Sequence, residues 1–157
     1  MLVHNARYHV TARINHQEMR LEEPSTKLLF IQTIKRAKFK YPFRVDNFTV
    51  MGNHFHLVIK PQEKASLSKI MQWILGVFAM LYNRKNGLTG HLWQGRFFSR
   101  IINSVKDLCE TNEYIDDNPV QVGLVRHQAE WSFGGIADRL LGCFGILDPP
   151  ESDAANP

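Results

Sequence analysis

From Tyr8 to Ile14 apolar and polar positions alternate, with Tyr8, Val10, Ala12 and Ile14 on one side and His9, Thr11 and Arg13 on the other. A period of two marks a strand with one buried face. After Pro24 and Ser25, Leu28, Phe30, Ile31, Ile34 and Ala37 recur at helical intervals from Thr26 to about Lys38, and Lys35, Arg36, Lys38 and Lys40 suit the negative end of that helix. Two β-rich runs, 43–51 and 54–60, flank Gly52-Asn53, a dipeptide able to supply the positive φ angles of a tight hairpin. Ser66 then caps a long helix whose Leu67, Ile70, Met71, Ile74, Leu75, Phe78, Leu81 and Tyr82 keep an i, i+3, i+4 rhythm until Arg84, Lys85 and Gly87 end it. That stripe is core. Residues 96–102 read as a fourth strand, and Ser104-Val105-Lys106-Asp107 resembles a capping box opening a helix to about Asp117, which Pro119 helps to stop. Between Trp131 and Leu147 the apolar pattern is broken by Gly134, Gly135, Gly142 and Gly145, leaving room for a short helix; residues 148–157 read as a disordered tail.

The order β-α-β-β-α-β predicts an α+β fold, a ferredoxin-like sandwich with two helices on one face of an antiparallel sheet and the other face free for a ligand. A further helix follows, carrying Tyr114. One domain over residues 1–147 accommodates the pattern, and the 44% hydrophobic and 22% charged composition is that of an ordinary globular chain. A formal charge of +4 and a pI near 9.2 favour a polyanionic partner, because cations that meet phosphates release condensed counterions. Cys109 and Cys143 lack CxxC spacing and read as reduced, partly buried thiols. The start has no signal-peptide pattern, and the longest apolar-rich run, 73–82, falls short of the ~20 residues of a membrane span, so a cytosolic protein is expected.

The chemistry-bearing residues follow from these elements. If Phe55, Leu57 and Ile59 enter the core, His54 and His56 share the opposite face, roughly 6.6 Å apart along the strand and able to converge on one cation. Alone, such a pair is more often two half-exposed histidines beside a turn. On the helix starting at Val105, Leu108, Cys109, Asn112 and Ile115 fall on one side, whereas Tyr114 falls with Asp107, Glu110 and Thr111 on the polar side. Asn118, four residues on, faces the same space if the helical path persists; otherwise it is a C-cap before proline. Joined, two imidazoles and an amide oxygen could hold a divalent ion that polarises a phosphodiester beside a tyrosine able to attack it. No GxxxxGK loop is present, in keeping with a reaction that conserves bond energy in a phosphotyrosine.

Three segments resemble a known family: Met51-Gly52-Asn53-His54-Phe55-His56-Leu57, Gly90-His91-Leu92-Trp93-Gln94-Gly95-Arg96-Phe97, and the run from Tyr114-Ile115-Asp116-Asp117-Asn118-Pro119 through Val120-Gln121-Val122-Gly123-Leu124-Val125. They are similar to the bacterial single-tyrosine HUH transposases, and within them the REP-associated tyrosine transposases. The resemblance implies binding of hairpins from palindromic DNA, and Mg²⁺- or Mn²⁺-dependent nicking that leaves a 5′-phosphotyrosine and a free 3′-hydroxyl. It implies that His54, His56 and Asn118 are metal ligands and Tyr114 the nucleophile, in a monomer or homodimer near the nucleoid. Histidine ligands by themselves favour zinc or another transition metal, so manganese fits both lines better than magnesium. Relatives often carry Arg-Ala where this chain has Gln121-Val122, and Asp116 and Asp117 would repel a phosphate unless they face away.

Trp93, Arg96, Phe97 and Arg100 combine stacking and charge as single-strand binders do, although Trp93 and Phe97 also suit the core. Arg7, Arg13, Lys35, Arg36, Lys38 and Lys40 are candidates for a hairpin stem, or else solvated charges. Two rival functions remain at this point: a domesticated relative that binds a hairpin without cutting it, and a small-molecule metalloenzyme using the two histidines.

Overall fold

The computed structural model describes residue 3, residues 5–143 and residues 145–151. Strands β1 (Arg7–Arg13), β2 (Phe43–Val50), β3 (His54–Pro61) and β4 (Phe98–Ile102) form one antiparallel sheet in the order β2-β3-β1-β4. Helices α1 (Pro24–Lys40) and α2 (Leu67–Asn86) cover one face, packing Phe30, Ile34, Ile70, Ile74 and Phe78 against Val10, Ala12, Phe55, Leu57 and Ile59. This is the ferredoxin-like arrangement that the alternating pattern predicts. Ser66 caps α2 by accepting from the Lys69 N–H at 3.3 Å, and Gly87 ends it in the left-handed region.

The sheet's second face is not left free. Helix α3 (Val105–Gln121) crosses it and buries Ile115 against Val58 and Ile102, with Leu108 alongside, while the short α4 (Gly135–Leu141) lies near β2. Covering that face follows from its apolar members: Val58 and Ile115 are fully buried, each worth about 1.5–3 kcal/mol against exposure. Helix α3 also runs through Pro119 instead of stopping there. The proline ring is buried, which offsets the amide hydrogen bond it cannot donate.

Other expectations are corrected. Neither Gly52 nor Asn53 has a positive φ. Small size is what position 52 requires: a Cβ there would lie 2.3 Å from Met19 Cε, and the Gly52 carbonyl accepts from Leu21 N–H at 2.8 Å. Strand β4 begins at Phe98, two residues late, because Gly95 turns the chain at positive φ. Cys109 and Cys143 are exposed, not partly buried. The expected tail is anchored over its first residues: Asp148 accepts from Val45 N–H at 2.9 Å and from Lys38 Nζ at 2.5 Å, and Glu151 pairs with Lys60 at 2.9 Å. The remainder of that expectation, residues 152–157, lies outside the described residues. Among the described residues no helix is long and apolar enough to cross a membrane.

Candidate active site

The site forms where β1, β3 and α3 meet. Antiparallel register sets His54 opposite Arg13 and His56 opposite Thr11, and alternation turns both imidazoles to the α3 face while Phe55 and Leu57 go beneath. Their ring centroids are 5.1 Å apart. Because α3 continues past Asp117, Asn118 remains one turn beyond Tyr114, near enough to His54 to favour its charged form without making a hydrogen bond to it. The Tyr114 ring stands edge-on to His56 with centroids 5.5 Å apart, yet the residue is 56% exposed, so its phenol is open to a ligand from solvent.

A third histidine belongs here that sequence reasoning left among the polar positions of β1. His9 Nε2 lies 2.9 Å from His56 Nδ1, and its ring is 6.2 Å from that of Tyr114. The signal existed in principle, since His9 shares a face with Arg13, but only the β1–β3 pairing brings it to His56. Asn53 plays the matching part for His54, with Oδ1 2.8 Å from Nδ1.

Burial first, then the charges of Arg13, holds His54 at a pKa of about 4; burial, then neighbouring His54, His9 and Arg13, brings His56 to about 3. Both rings are thus neutral near pH 7, the form that coordinates a metal. His56 Nε2 and Asn118 Oδ1 are buried with no hydrogen-bond partner among the described residues. Such orphaned acceptors are uncommon in folded proteins and are suited by type to a cation. Among the described residues no cluster of three His, Cys, Asp or Glu side chains is suited to a metal.

The two acidic neighbours face away from the phenol. Asp116 accepts from Asn47 Nδ2 at 2.9 Å on the β2 side, where burial raises its pKa, and Asp117 accepts from Gln121 Nε2 at 2.6 Å. The expected phosphate contacts divide. Arg13 is exposed next to His54 and carries no ion pair among the described residues. Arg96 is exposed on the far side of the sheet edge, in a groove of about 880 Å³ bordered by α2. Arg100 is occupied: its guanidinium donates to both Asp107 oxygens at 2.9 and 3.0 Å and to Thr111 at 2.8 Å, strapping α3 to β4. Arg7 is held by Asp46 at 2.6 Å, and Lys38 by the Ile146 carbonyl at 2.7 Å as well as Asp148. Trp93 packs with Phe30, Phe55 and Phe78 and donates from Nε1 to the Leu75 carbonyl at 3.0 Å, so it belongs to the core. Phe97 also packs against the core, whereas its neighbour Phe98, which sequence reasoning did not single out, is 68% exposed on the face shared with Thr11.

Fold and site together define a ferredoxin-like domain with paired imidazoles and a helix-borne tyrosine on one face. The chain belongs to the IS200-like transposase family, whose model, described as "Transposase IS200 like", matches residues 2–118. It is 29% identical over 101 residues to the REP-associated tyrosine transposase of Escherichia coli strain K12, across 64% of this chain and 58% of that protein. The matched span is thus under two thirds of that relative's length. A solved structure of a REP-associated tyrosine transposase bound to a REP hairpin superposes with a TM-score of 0.76 at 21% identity, covering 99% of this chain and 92% of that one. At that identity the likeness speaks for the fold. The family read from the three sequence motifs is the one these comparisons show.

Proposed function

We propose that this chain is a divalent-metal-dependent nickase and strand transferase for single-stranded DNA bearing a hairpin or palindrome. The observation that carries the reading is the Tyr114 phenol edge-on to His56, on the same face as two buried acceptor atoms, His56 Nε2 and Asn118 Oδ1, that lack partners among the described residues. Its relatives' names point to hairpins of repetitive palindromes as the substrate class.

His54, His56 and Asn118 would hold the ion, Mn²⁺ more readily than Mg²⁺ given two nitrogen donors. When bound, it would polarise a phosphodiester oxygen and draw charge from the phosphorus. Tyr114 supplies the attacking oxygen. Its new bond to phosphorus forms as the bond from phosphorus to the 3′ oxygen breaks; the phenol loses its proton and the departing oxygen gains one, giving a 5′-phosphotyrosine and a free 3′-hydroxyl. A 3′-hydroxyl from another DNA end reverses the same exchange, so no nucleotide cofactor enters. Arg13 beside His54 is placed to meet the phosphate backbone, and exposed Phe98 to stack an unpaired base. Tyr114 faces the histidines of its own chain, which supports a site built by one copy.

Incubation with Mn²⁺ and an oligonucleotide carrying a hairpin and single-stranded flank should yield a covalent adduct stable to denaturing electrophoresis. Tyr114→Phe should abolish the adduct and keep hairpin affinity. Hairpin binding without any cleavage by the unmodified protein would instead favour a domesticated binding role, and no salt-sensitive DNA binding at all would remove both readings.

A further inference from the structure

We propose that His9 is a positioning residue, accepting the Nδ1–H of His56 and so keeping that imidazole in the tautomer whose Nε2 lone pair is turned to the candidate cation site. The inference rests on the reading of His54, His56 and Asn118 as cation ligands. A neutral imidazole has one proton to place, and the nitrogen without it is the only one able to bind a cation. An unconstrained histidine prefers its proton on Nε2, the wrong atom for this site. An acceptor at Nδ1 reverses the preference.

Both imidazoles of the pair have such a partner. At His54 the partner is Asn53 Oδ1 at 2.8 Å, and the orientation of that amide follows from its other end, whose Nδ2 donates to the Gln17 carbonyl at 3.3 Å. An amide oxygen only accepts, so His54 carries its proton on Nδ1 and leaves Nε2 bare. At His56 the partner is His9 Nε2 at 2.9 Å, while His56 Nε2 is buried without a partner among the described residues. A proton on His56 Nε2 would be a buried donor with nothing to receive it; a proton on Nδ1 completes the bond to His9. His9 then keeps its own proton on Nδ1. The two histidines are thereby oriented from different segments, one by Asn53 in the loop before β3 and one by His9 in β1, which resists rotation of either ring away from Asn118.

Nitrogen-15 spectra of histidine-labelled full-length protein, free of metal, read the tautomer directly. The expected result is a His56 ring protonated at Nδ1, with His9→Phe moving protons to Nε2. Mn²⁺ titration calorimetry should show affinity falling by about 10–100-fold in His9→Phe, the usual cost of losing an outer partner. His9→Gln, whose side-chain oxygen can accept, should regain most of it. A His56 proton on Nε2 in the unmodified protein overturns the proposal whether or not any variant folds, as does a folded His9→Phe with unchanged tautomer and Mn²⁺ affinity. Equal Mn²⁺ binding by unmodified protein and a His54→Ala, His56→Ala double variant would instead sink the cation reading. The spectra still decide the hydrogen bond in that event, since an Nδ1 proton that depends on His9 upholds the orienting role and its absence removes it.

Discussion

His56 is nearly inaccessible to water, and that burial couples the site's chemistry to the stability of the whole chain. With folded pKa values of about 3 for His56 and about 4 for His54, against 6.5 when unfolded, acidification protonates the unfolded chain first. Stability is therefore fully present above about pH 6.5 and is lost as the pH falls toward the folded values. Thermal unfolding midpoints should drop steadily between pH 7 and pH 4, and His56→Gln should flatten that slope; a midpoint independent of pH in this window would refute the neutral, buried state. Single residues were legible in the sequence where one periodicity decided them. Tyr114 on the polar side of its helix and the His54/His56 pair on one strand face are of that kind. The partners of Arg7, Lys38 and Arg100 were not, because they come only with the fold: Asp46 and Asp148 lie far along the chain, and Asp107 meets Arg100 across the turn from β4 into α3. His9 escaped for a related reason, its meaning depending on the pairing of β1 with β3.

At the scale of elements, α3 sets the distance between the phenol and the imidazoles. Its hold on the sheet is Ile115 packed on Val58 and Ile102, supported by Arg100 reaching Asp107 and Thr111. Ile115→Ala should cost about 2–5 kcal/mol in denaturant unfolding. In the folded fraction, adduct formation should decline far more than hairpin affinity, because the loosened helix carries the proposed nucleophile; equal loss of both would mean that α3 positions nothing. Helix α2 was readable end to end, from the Ser66 cap to Gly87, since its apolar stripe and caps all agree. The end of α3 was not readable. A proline in sequence signals a stop, and only the packing that buries Pro119 lets the helix carry Asn118 a full turn past Tyr114.

For the whole molecule, the prediction of a sheet with one open face was half fulfilled, because the added helix serves both to close the core and to present the tyrosine. The expected tail was misread because its polar composition hides specific partners: Asp148 satisfies both Lys38 and the Val45 amide. Asp148→Ala should lower stability by about 1–3 kcal/mol by leaving these groups unpaired, measurable as a lower urea midpoint. A neutral outcome would show the anchoring to be incidental.

That anchoring has a further effect on how copies of the chain meet. The outward amides of β2 are occupied by the chain itself, Val50 N–H by the Phe133 carbonyl at 2.9 Å and Val45 by Asp148 on both its amide and its carbonyl. A bare rim of backbone donors and acceptors is a template on which another polypeptide can zip. The residues around Asp148 act as a stopper on that rim, leaving β4, beside exposed Phe98, as the sheet's other margin.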